Sequence, residues 1–497
     1  MEYIKYGHHI SYKNVFKIFL IYFFIFIPIL LLRYPDIRNE LKYFVITDNI
    51  LETKNYFILK YFSELYPDKP PLFFWILAVL KRYCNTFFLP ASIFIGSVLP
   101  SFLITVLSYS LFAKIKDEKA GFIISLFLCT TPFFIGTSLV LRMDILMSFF
   151  IFMALYNFFS IYYNFIPKNF KNIFFLYTYI FLAVFTKGLA GIIVPFITIL
   201  IFLILENNLK FLKEIYFGKG IVFLIILTGL WWYYIIKFPE GKDYLSLILK
   251  QEAAGRVLNA KTHVKPFYYY LKMLPILLYP YGIFFVGSLV YYIKNIKSYK
   301  NFEPLEKIGL SWTVFPIIAF SSASGKLDIY LIPMFTGMFV MVYMFILKTK
   351  NSKFGKIIFK ISMFTAVVPL VFNKFFNRED NFYKKIMYFP ITIIIIFILF
   401  IPFTEKYNEK YSLKSIEHKI IYSDKTLIAY KFKDFINISG KINRNILPVE
   451  NYAELEKEVL ENKNIMIVTK RKYKKDLEKL NQMKLQYENL NYIILSS

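Results

Sequence analysis

The residues best suited to chemistry lie in short polar stretches between long apolar runs. In "DIRNELKY", residues 36–43, Asp36 and Glu40 are four positions apart, so in a helix their carboxylates share one face. There they can accept a proton from a hydroxyl group or hold a cation. The alternative is a solvated helix start just outside the first apolar run. Lys42 and Tyr43 add a cation and a phenol to the same stretch.

A second polar stretch, "PDKPPL" at 67–72, places a carboxylate and a lysine between prolines. Proline fixes the backbone and removes hydrogen-bond donors, which can hold Asp68 and Lys69 rigidly at the membrane surface. The Lys69 ammonium is then available to a phosphate group. The competing interpretation is a proline-rich start of an apolar helix, with a lysine that reaches towards water.

Two further stretches put ionisable residues at the ends of apolar helices. Arg142 and Asp144 lie in "LRMDIL", and Lys187 is flanked by small residues in "TKGLAG". Ionisable groups near membrane depth are costly and are often functional. A local Arg–Asp pair and a tight turn between two spans are the structural alternatives.

Two later stretches complete the set. Residues 238–271 contain Arg256 and His263, which can bind an anionic headgroup, and "SGKLDIYLIP" places Lys326 and Tyr330 four apart. Both stretches also fit an interfacial belt of polar and aromatic side chains. Together, the stretches supply cations for a phosphate, carboxylates for an acceptor and apolar walls for an acyl chain, which a site for a phosphorylated lipid needs.

The composition is that of an integral membrane protein. The 497 residues are 57% hydrophobic and 21% aromatic, with a mean hydropathy of +0.50. Apolar runs of about 20 residues, enough to span a bilayer, recur between Phe19 and Phe403. The formal charge of +27 falls mostly in short loops and the tail, as contact with membrane lipids favours. No recognition motif accompanies it, so we predict no nucleic-acid partner.

The fold class that follows is an all-α polytopic membrane protein, with about 12 to 13 transmembrane helices and a small C-terminal α/β domain. We predict a transmembrane domain over 1–403, with outward loops 33–70 and 238–271, and a soluble domain over 404–497. In the soluble domain, strands are predicted in "KIIYSDKTLIAYKF" and "NIMIVTK", and helices in "VENYAELEKEVLENK" and "KYKKDLEKLNQMKLQ". A count of about twelve crossings places this domain opposite the first outward loop, whereas a missed or broken span between Lys356 and Phe403 would place both on one side.

The ordered set of motifs resembles the GT-C superfamily, in its group of protein mannosyltransferases and lipid A aminoarabinose transferases (glycosyltransferase family 39-like). The stretch "NELKYFVITDNIL…ILKYFSELYPDKPPLFFW" resembles the first outward loop of that group. "RMDILMSFF", "TKGLAGIIVP", "WWYY", "PFYYYL" and "SGKLDIYLIP" follow in the same order, over about residues 33–335.

The resemblance implies a multipass enzyme of the bacterial inner membrane that acts on the extracytoplasmic face. Such an enzyme transfers a sugar from a polyprenyl-phosphate donor to a lipid such as lipid A, a glycan or a protein, with inversion at the anomeric carbon. By position, Lys69 is similar to the donor-phosphate lysine and Asp144 to a second acidic residue. Arg256 is similar to a phosphate-contacting arginine, and Tyr330 to a tyrosine that lines the site.

The chain departs from the family pattern at the first carboxylate. Asn39-Glu40 stands where the family has Asp-Glu, and Lys42 replaces an arginine. Because asparagine cannot be a general base, either Asp36 or Glu40 must supply the carboxylate. The spacing predicts no metal ligands and requires no cofactor, although the carboxylates leave room for a divalent metal ion.

Two other classes of protein share these features. A transporter or flippase for a lipid-linked sugar tends to show repeated halves and broken helices at the membrane midplane, whereas here the ionisable residues collect in long loops. A polymerase or ligase of surface glycans shares the carrier lipid but takes an oligosaccharide donor. The mass of the product separates that activity from the transfer of a single sugar.

Overall fold

The computed structural model describes residues 10–84, 87–250, 263–366, 382–442, 444–462, 464–480 and 482–497. The helices up to residue 250 are α1 (Tyr12–Leu32), α2 (Glu40–Thr53), α3 (Leu72–Cys84), α4 (Phe88–Ile115), α5 (Glu118–Cys129), α6 (Pro132–Ser138), α7 (Met143–Tyr162), α8 (Phe170–Lys187), α9 (Ala190–Leu205), α10 (Phe211–Glu214), α11 (Phe217–Ile236) and α12 (Gly241–Lys250). Those between 263 and 400 are α13 (Tyr269–Leu277), α14 (Gly282–Asn295), α15 (Pro304–Ser322), α16 (Asp328–Thr349, which begins with a 3-10 turn), α17 (Lys353–Thr365) and α18 (Phe382–Phe400).

Helix length and composition confirm a polytopic membrane protein. In the described part of the chain, six helical segments are long and apolar enough to cross a membrane, or up to seven when the bent α5–α6 pair counts as one span. The shorter helix α9, with 16 residues, is also apolar. The all-α class with a small C-terminal α/β domain is therefore confirmed. The short α3, with 13 residues, is about 20 Å long and cannot cross the ~30 Å hydrocarbon core.

The centre of the membrane unit is formed by α7 and α16. In the apolar stretch of α16, 94% of the residues are buried, whereas in that of α11 only 17% are buried. A helix that is apolar on all sides packs inside a bundle or faces lipid, so α16 lies inside and α11 faces outwards. Small residues bring helices close together, because a Cβ on Gly121 would meet the backbone of Ala113.

The contacts divide the chain into two compact units. The first contains residues up to Ile27, Asn55–Leu59 and Leu65–Ile398, and the second contains Pro28–Lys54, Lys60–Glu64 and Leu399–Ser497. The first polar loop is thus itself divided, and most of it belongs with the C-terminal residues. That residues 1–403 and 404–497 form separate domains remains a prediction.

The second unit is built on a five-stranded sheet. Its elements after residue 400 are α19 (Thr404–Tyr411), α20 (Lys414–Ile421), β3 (Thr426–Tyr430), α21 (Ser439–Ile442), β4 (Ile446–Val449), α22 (Tyr452–Glu461), β5 (Ile465–Lys470), α23 (Lys474–Leu477), β6 (Lys484–Glu488) and β7 (Tyr492–Ser496), and the two-residue strands β1 (Lys60–Tyr61) and β2 (Glu64–Leu65) form a separate pair. The strand order is β4-β3-β5-β7-β6. β4, β3 and β5 are parallel, and β5, β7 and β6 are antiparallel.

Most of the predicted pattern in this sheet is present, with two errors. The beginning of the predicted strand stretch, "KII", belongs to α20 (Lys414–Ile421) and is helical. The strands predicted around β3 and β5 and the helix at α22 are found. The last predicted helix, "KYKKDLEKLNQMKLQ", is wrong beyond α23, because Lys484–Glu488 pairs with β7 as an edge strand.

The segment before α2 shares a hydrophobic core with the C-terminal sheet. Ile37 and Leu41 pack with buried residues such as Leu427 and Ile494, and the Asn437 side chain donates to the Ile37 carbonyl at 2.9 Å. Residues 33–54 and the C-terminal domain therefore lie on the same side of the membrane. Twelve crossings would put them on opposite sides, so that expected placement is wrong and the number of crossings must be odd.

Candidate active site

Asp144 lies in the first turn of α7, where the carboxylate is 1% exposed. Arg142 precedes the helix in an extended conformation, and its Nε lies 3.3 Å from Asp144 Oδ2. The positive end of the helix dipole also favours a carboxylate at this position. The "LRMDIL" motif therefore forms a local Arg–Asp pair. Its Asp144 also contacts residues of other elements.

The second cation on Asp144 is Lys187, the last residue of α8. Its Nζ forms an ion pair with Asp144 Oδ1, and the Lys187 side chain is 7% exposed. The same Nζ lies 4.7 Å from the centre of the Tyr330 ring, within the range of a cation–π contact. Gly188, with φ 95°, ends the helix, and this left-handed conformation suits glycine.

A third cation, Lys69, acts electrostatically on the Asp144 carboxylate. We call Lys69, Arg142, Asp144, Lys187 and Tyr330 the cationic cluster. Arg142 and Lys187 contact the Asp144 carboxylate, and the charge of Lys69 acts on it, so the cluster carries an excess of positive charge. Lys187 is buried, and Lys69 and Arg142 are partly exposed, so this excess of positive charge is open to an anionic ligand. The structure thus joins four predicted stretches that are distant in sequence.

The loop that carries Lys69 is fixed by Tyr244, which sequence reasoning missed. The Tyr244 hydroxyl is buried and donates to the Tyr66 carbonyl at 3.1 Å, and it accepts from the Leu59 backbone N–H at 3.4 Å. Asp68 is half-buried in the same loop, and its charge acts on Tyr244. Nothing in "GKDYLSL" distinguishes Tyr244 from the many interfacial tyrosines of this chain.

Lys326 holds two backbone segments together. Its Nζ donates to the carbonyls of Lys265, at 3.0 Å, and Ala323, and its own N–H donates to the His263 carbonyl at 3.0 Å. Burial lowers the pKa of the Lys326 ammonium below its ordinary value. The His263 side chain is exposed. Lys326 thus stabilises the packing of these two segments. The other predicted residue of this stretch, Arg256, lies outside the described residues.

In the second unit, Glu40 is committed to an ion pair. The carboxylate is fully buried and accepts from both terminal nitrogens of Arg33, at 2.7 and 2.5 Å. It also accepts from the Asp36 backbone N–H at 2.6 Å. Asp36 is half-buried, and its Oδ2 accepts from the backbone and side chain of Asn39, both at 2.9 Å. The two predicted carboxylates therefore have different environments.

The other two predicted residues of this stretch make packing contacts. Lys42 Nζ lies 4.8 Å from the centre of the Tyr61 ring, and Tyr43 is buried in α2. Among the described residues, no three His, Cys, Asp or Glu side chains are grouped so that they could hold a metal ion. We therefore derive no step through a metal.

Comparisons with known proteins bear on the fold and the family of this chain. Residues 68–233 match the family model of the dolichyl-phosphate-mannose-protein mannosyltransferases, and that range includes Asp68, Lys69, Arg142, Asp144 and Lys187. An uncharacterized protein of Aquifex aeolicus is 24% identical over 353 residues, which are 69% of this chain and 67% of the relative.

A second relative covers more of the chain. The undecaprenyl phosphate-alpha-4-amino-4-deoxy-L-arabinose arabinosyl transferase of Wigglesworthia glossinidia brevipalpis is 26% identical over 494 residues, 89% of this chain and 86% of the relative. The crystal structure of ArnT from Cupriavidus metallidurans, bound to undecaprenyl phosphate, has the same fold, with a TM-score of 0.70, 14% identity and 97% coverage of both chains. In sequence and fold the chain is similar to the GT-C glycosyltransferases of the protein mannosyltransferase and ArnT group.

The partner of Glu40 was also not predicted from the sequence. Arg33 stands at the end of the first apolar run, where an arginine is usually read as an interfacial anchor. Its spacing of seven residues from Glu40 places both on one side of a continuous helix, but the chain is not helical between α1 and α2. Only the fold of this turn reveals the pair.

Proposed function

We propose that the protein transfers one sugar from a polyprenyl-phosphate donor to a lipid, glycan or protein acceptor. The observation that carries the proposal is the cationic cluster, in which Lys69, Arg142 and Lys187 surround Asp144. Undecaprenyl phosphate is named in the relative from Wigglesworthia glossinidia brevipalpis and is bound in the ArnT crystal structure. An excess of positive charge on buried and partly exposed side chains suits the phosphate of such a carrier.

The proposed reaction is a single displacement with inversion. An acceptor oxygen attacks the anomeric carbon, the bond from that carbon to the carrier phosphate breaks, and the phosphate leaves with the electron pair. Lys69, Arg142 and Lys187 stabilise the negative charge on the leaving phosphate. Asp144 holds Arg142 and Lys187 in place, which favours a positioning role for this carboxylate.

For the proton of the acceptor we propose Asp36 rather than Glu40. Both oxygens of Glu40 already accept from Arg33, and its full burial keeps it in that pair. In the described part of the chain, Asp36 accepts hydrogen bonds through Oδ2 alone. Arg256, His263 and Lys326 stay proposed substrate contacts. Lys326 precedes Tyr330 by four residues, and its backbone N–H donates to the His263 carbonyl at 3.0 Å.

We further propose that the reaction takes place on the extracytoplasmic face of a bacterial inner membrane. Basic residues collect in the loops after Phe112, Tyr163, Leu205, Val290 and Leu347, and such loops face the cytoplasm. Sugar nucleotides are not expected on the other face, so a lipid-linked donor suits this topology. The rival functions are transport of a lipid-linked sugar and polymerisation of surface glycans.

The test is mass spectrometry of lipid A, surface glycans and envelope proteins from cells that carry the wild-type chain, no chain, Lys69→Ala or Lys242→Ala. Lys242 is exposed on α12, so Lys242→Ala is the matched control. We expect one sugar-sized mass shift to disappear without the chain and in Lys69→Ala, at unchanged protein levels, and to persist in the control. Unchanged products in Lys69→Ala would refute the site, and loss of a polymer rather than a single sugar would favour the polymerase.

A further inference from the structure

A cavity separate from the cationic cluster lies among α14, α16, α17 and α18. Its volume is about 350 Å³, within the range of small-ligand pockets. The wall is apolar and includes Phe284, Phe345, Phe359 and Met363. All residues that line it belong to the membrane unit.

Four lysines surround this apolar wall: Lys350, Lys356, Lys360 and Lys385. No carboxylate of the described residues lines the cavity, and none of the four lysines makes an ion pair within the described ranges. Lys356 and Lys360 are four apart on α17 and share one face. Like charges around an apolar wall repel one another, so the cavity favours an anion that has an apolar part.

The neighbouring lysine shows that pairing is available in this region. Lys348, two residues before Lys350, forms an ion pair with Glu303. The four cavity lysines thus differ from their neighbour in lacking a carboxylate partner among the described residues. A ligand of opposite charge is the simplest complement to them.

The turn between α16 and α17 fixes the shape of the cavity. Ser352 caps α17 by accepting from the Gly355 N–H at 2.9 Å. A Cβ on Gly355 would lie 2.1 Å from the Thr349 carbonyl oxygen, so only glycine allows this close approach. The turn holds Lys350 and Lys356 on rigid elements beside the opening.

The cavity lies at the opposite end of α16 from the cationic cluster. Tyr330 is in the first turn of α16 and Thr349 is its last residue, and these positions are about 30 Å apart along the helix. That distance equals the thickness of the hydrocarbon core. The cavity is therefore at the other membrane surface from Tyr330, in the basic region "KTKNSKFGK".

We propose that this cavity binds an anionic glycerophospholipid. The lysines hold the headgroup phosphate, and an acyl chain runs along the phenylalanine wall. Basic pockets between transmembrane helices at this surface have the chemistry for such headgroups. The site is independent of the sugar donor, because no residue of the cationic cluster lines it.

The test is native mass spectrometry of the purified full chain, titrated with phosphatidylglycerol or with phosphatidylcholine of the same acyl chains. Wild type should bind one phosphatidylglycerol with clear preference. Lys356→Gln/Lys360→Gln should weaken that binding about thirty-fold, whereas Lys356→Arg/Lys360→Arg should keep it. The control Lys297→Gln/Lys300→Gln removes two exposed charges that do not line the cavity and should also keep it.

Four outcomes would overturn the proposal. The first is that wild type shows no preference for phosphatidylglycerol. The second is that the Lys297/Lys300 control loses as much binding as the cavity variant, which would indicate diffuse surface charge. Competition by inorganic phosphate without dependence on acyl chains would indicate a free anion instead of a lipid. Lys69→Ala should keep the binding event, and its loss there would assign the lipid to the cationic cluster.

Discussion

Replacement of Asp144 should destabilise the protein more than replacement of its nearest cation, Lys187. The Asp144 carboxylate is 1% exposed and pairs with a Lys187 side chain that is 7% exposed. In Asp144→Asn, Lys187 keeps its charge in a site that excludes most water but loses its carboxylate partner. The removal of one member of a buried ion pair costs about 3–5 kcal/mol of unfolding free energy.

In Lys187→Met the charge that is left behind is better compensated. Arg142 Nε still lies 3.3 Å from Asp144 Oδ2, an attraction of about 5 kcal/mol between unit charges at an effective dielectric constant of ~20. Lys69 also acts on Asp144. We therefore expect Lys187→Met to lose about 1–3 kcal/mol, and the double variant to lose less than the sum of the single variants.

The assay is equilibrium unfolding of the purified full chain in detergent, with Asp243→Asn as the control. Asp243 is an exposed residue of α12, and its replacement should change the free energy of unfolding by less than about 0.5 kcal/mol. Equal losses in Asp144→Asn and Lys187→Met, or additive losses in the double variant, would refute the reasoning. Either result would mean that Arg142 and Lys69 do not act on Asp144 as one cluster with Lys187.

Three further predictions follow from single contacts. Arg33→Ala leaves Glu40 buried without this cation and should lower the unfolding free energy by about 3–5 kcal/mol. Asp36→Asn should lower it by only about 1 kcal/mol yet abolish sugar transfer. Transfer at the wild-type rate in Asp36→Asn would exclude Asp36 as the base. Gly191→Ala puts a Cβ 2.4 Å from the backbone of α8 and should destabilise by about 1–3 kcal/mol, while Gly218→Ala, with nothing within 4 Å, should show no loss in the same melt. Burial raises the pKa of Glu303, but hydrogen bonds from two lysines outweigh burial and hold this pKa below its ordinary value of 4.5. The contact therefore stabilises the fold above about pH 4.5, and this contribution is lost as the pH falls. Since the side chain is 37% exposed, thermal unfolding measured against pH should show a loss under about 1 kcal/mol that is absent in Glu303→Gln.

The membrane class could be predicted because hydropathy is a local property of the chain. The candidate residues Lys69, Asp144 and Lys187 were predicted from their motifs, each with a structural alternative. Their association was not predictable from spacing, because Asp144 and Lys187 lie 43 positions apart on separate helices. Which faces of α7 and α8 meet depends on packing such as the Gly191 contact, and no local pattern encodes it.

The errors have the same origin. Lys, Leu, Gln and Glu favour helix, so "KLQYE" continued a predicted helix, but pairing with β7 outweighs this preference. The side of the C-terminal domain could not be found by counting spans, since one miscounted helix reverses the answer. The packing of Ile37 and Leu41 against that domain decides it instead.

The three predicted catalytic carboxylates differ in what they can do. Asp144 faces Lys187 through Oδ1 and Arg142 through Oδ2, and Glu40 faces Arg33 through both oxygens. A carboxylate held on both sides by cations orients those cations, and losing its charge would leave them buried and unneutralised. Asp36 holds a turn through one oxygen and pairs with no cation in the described part of the chain. This difference supports our proposal that Asp36 takes the proton and that the two buried carboxylates hold the cations around them in place.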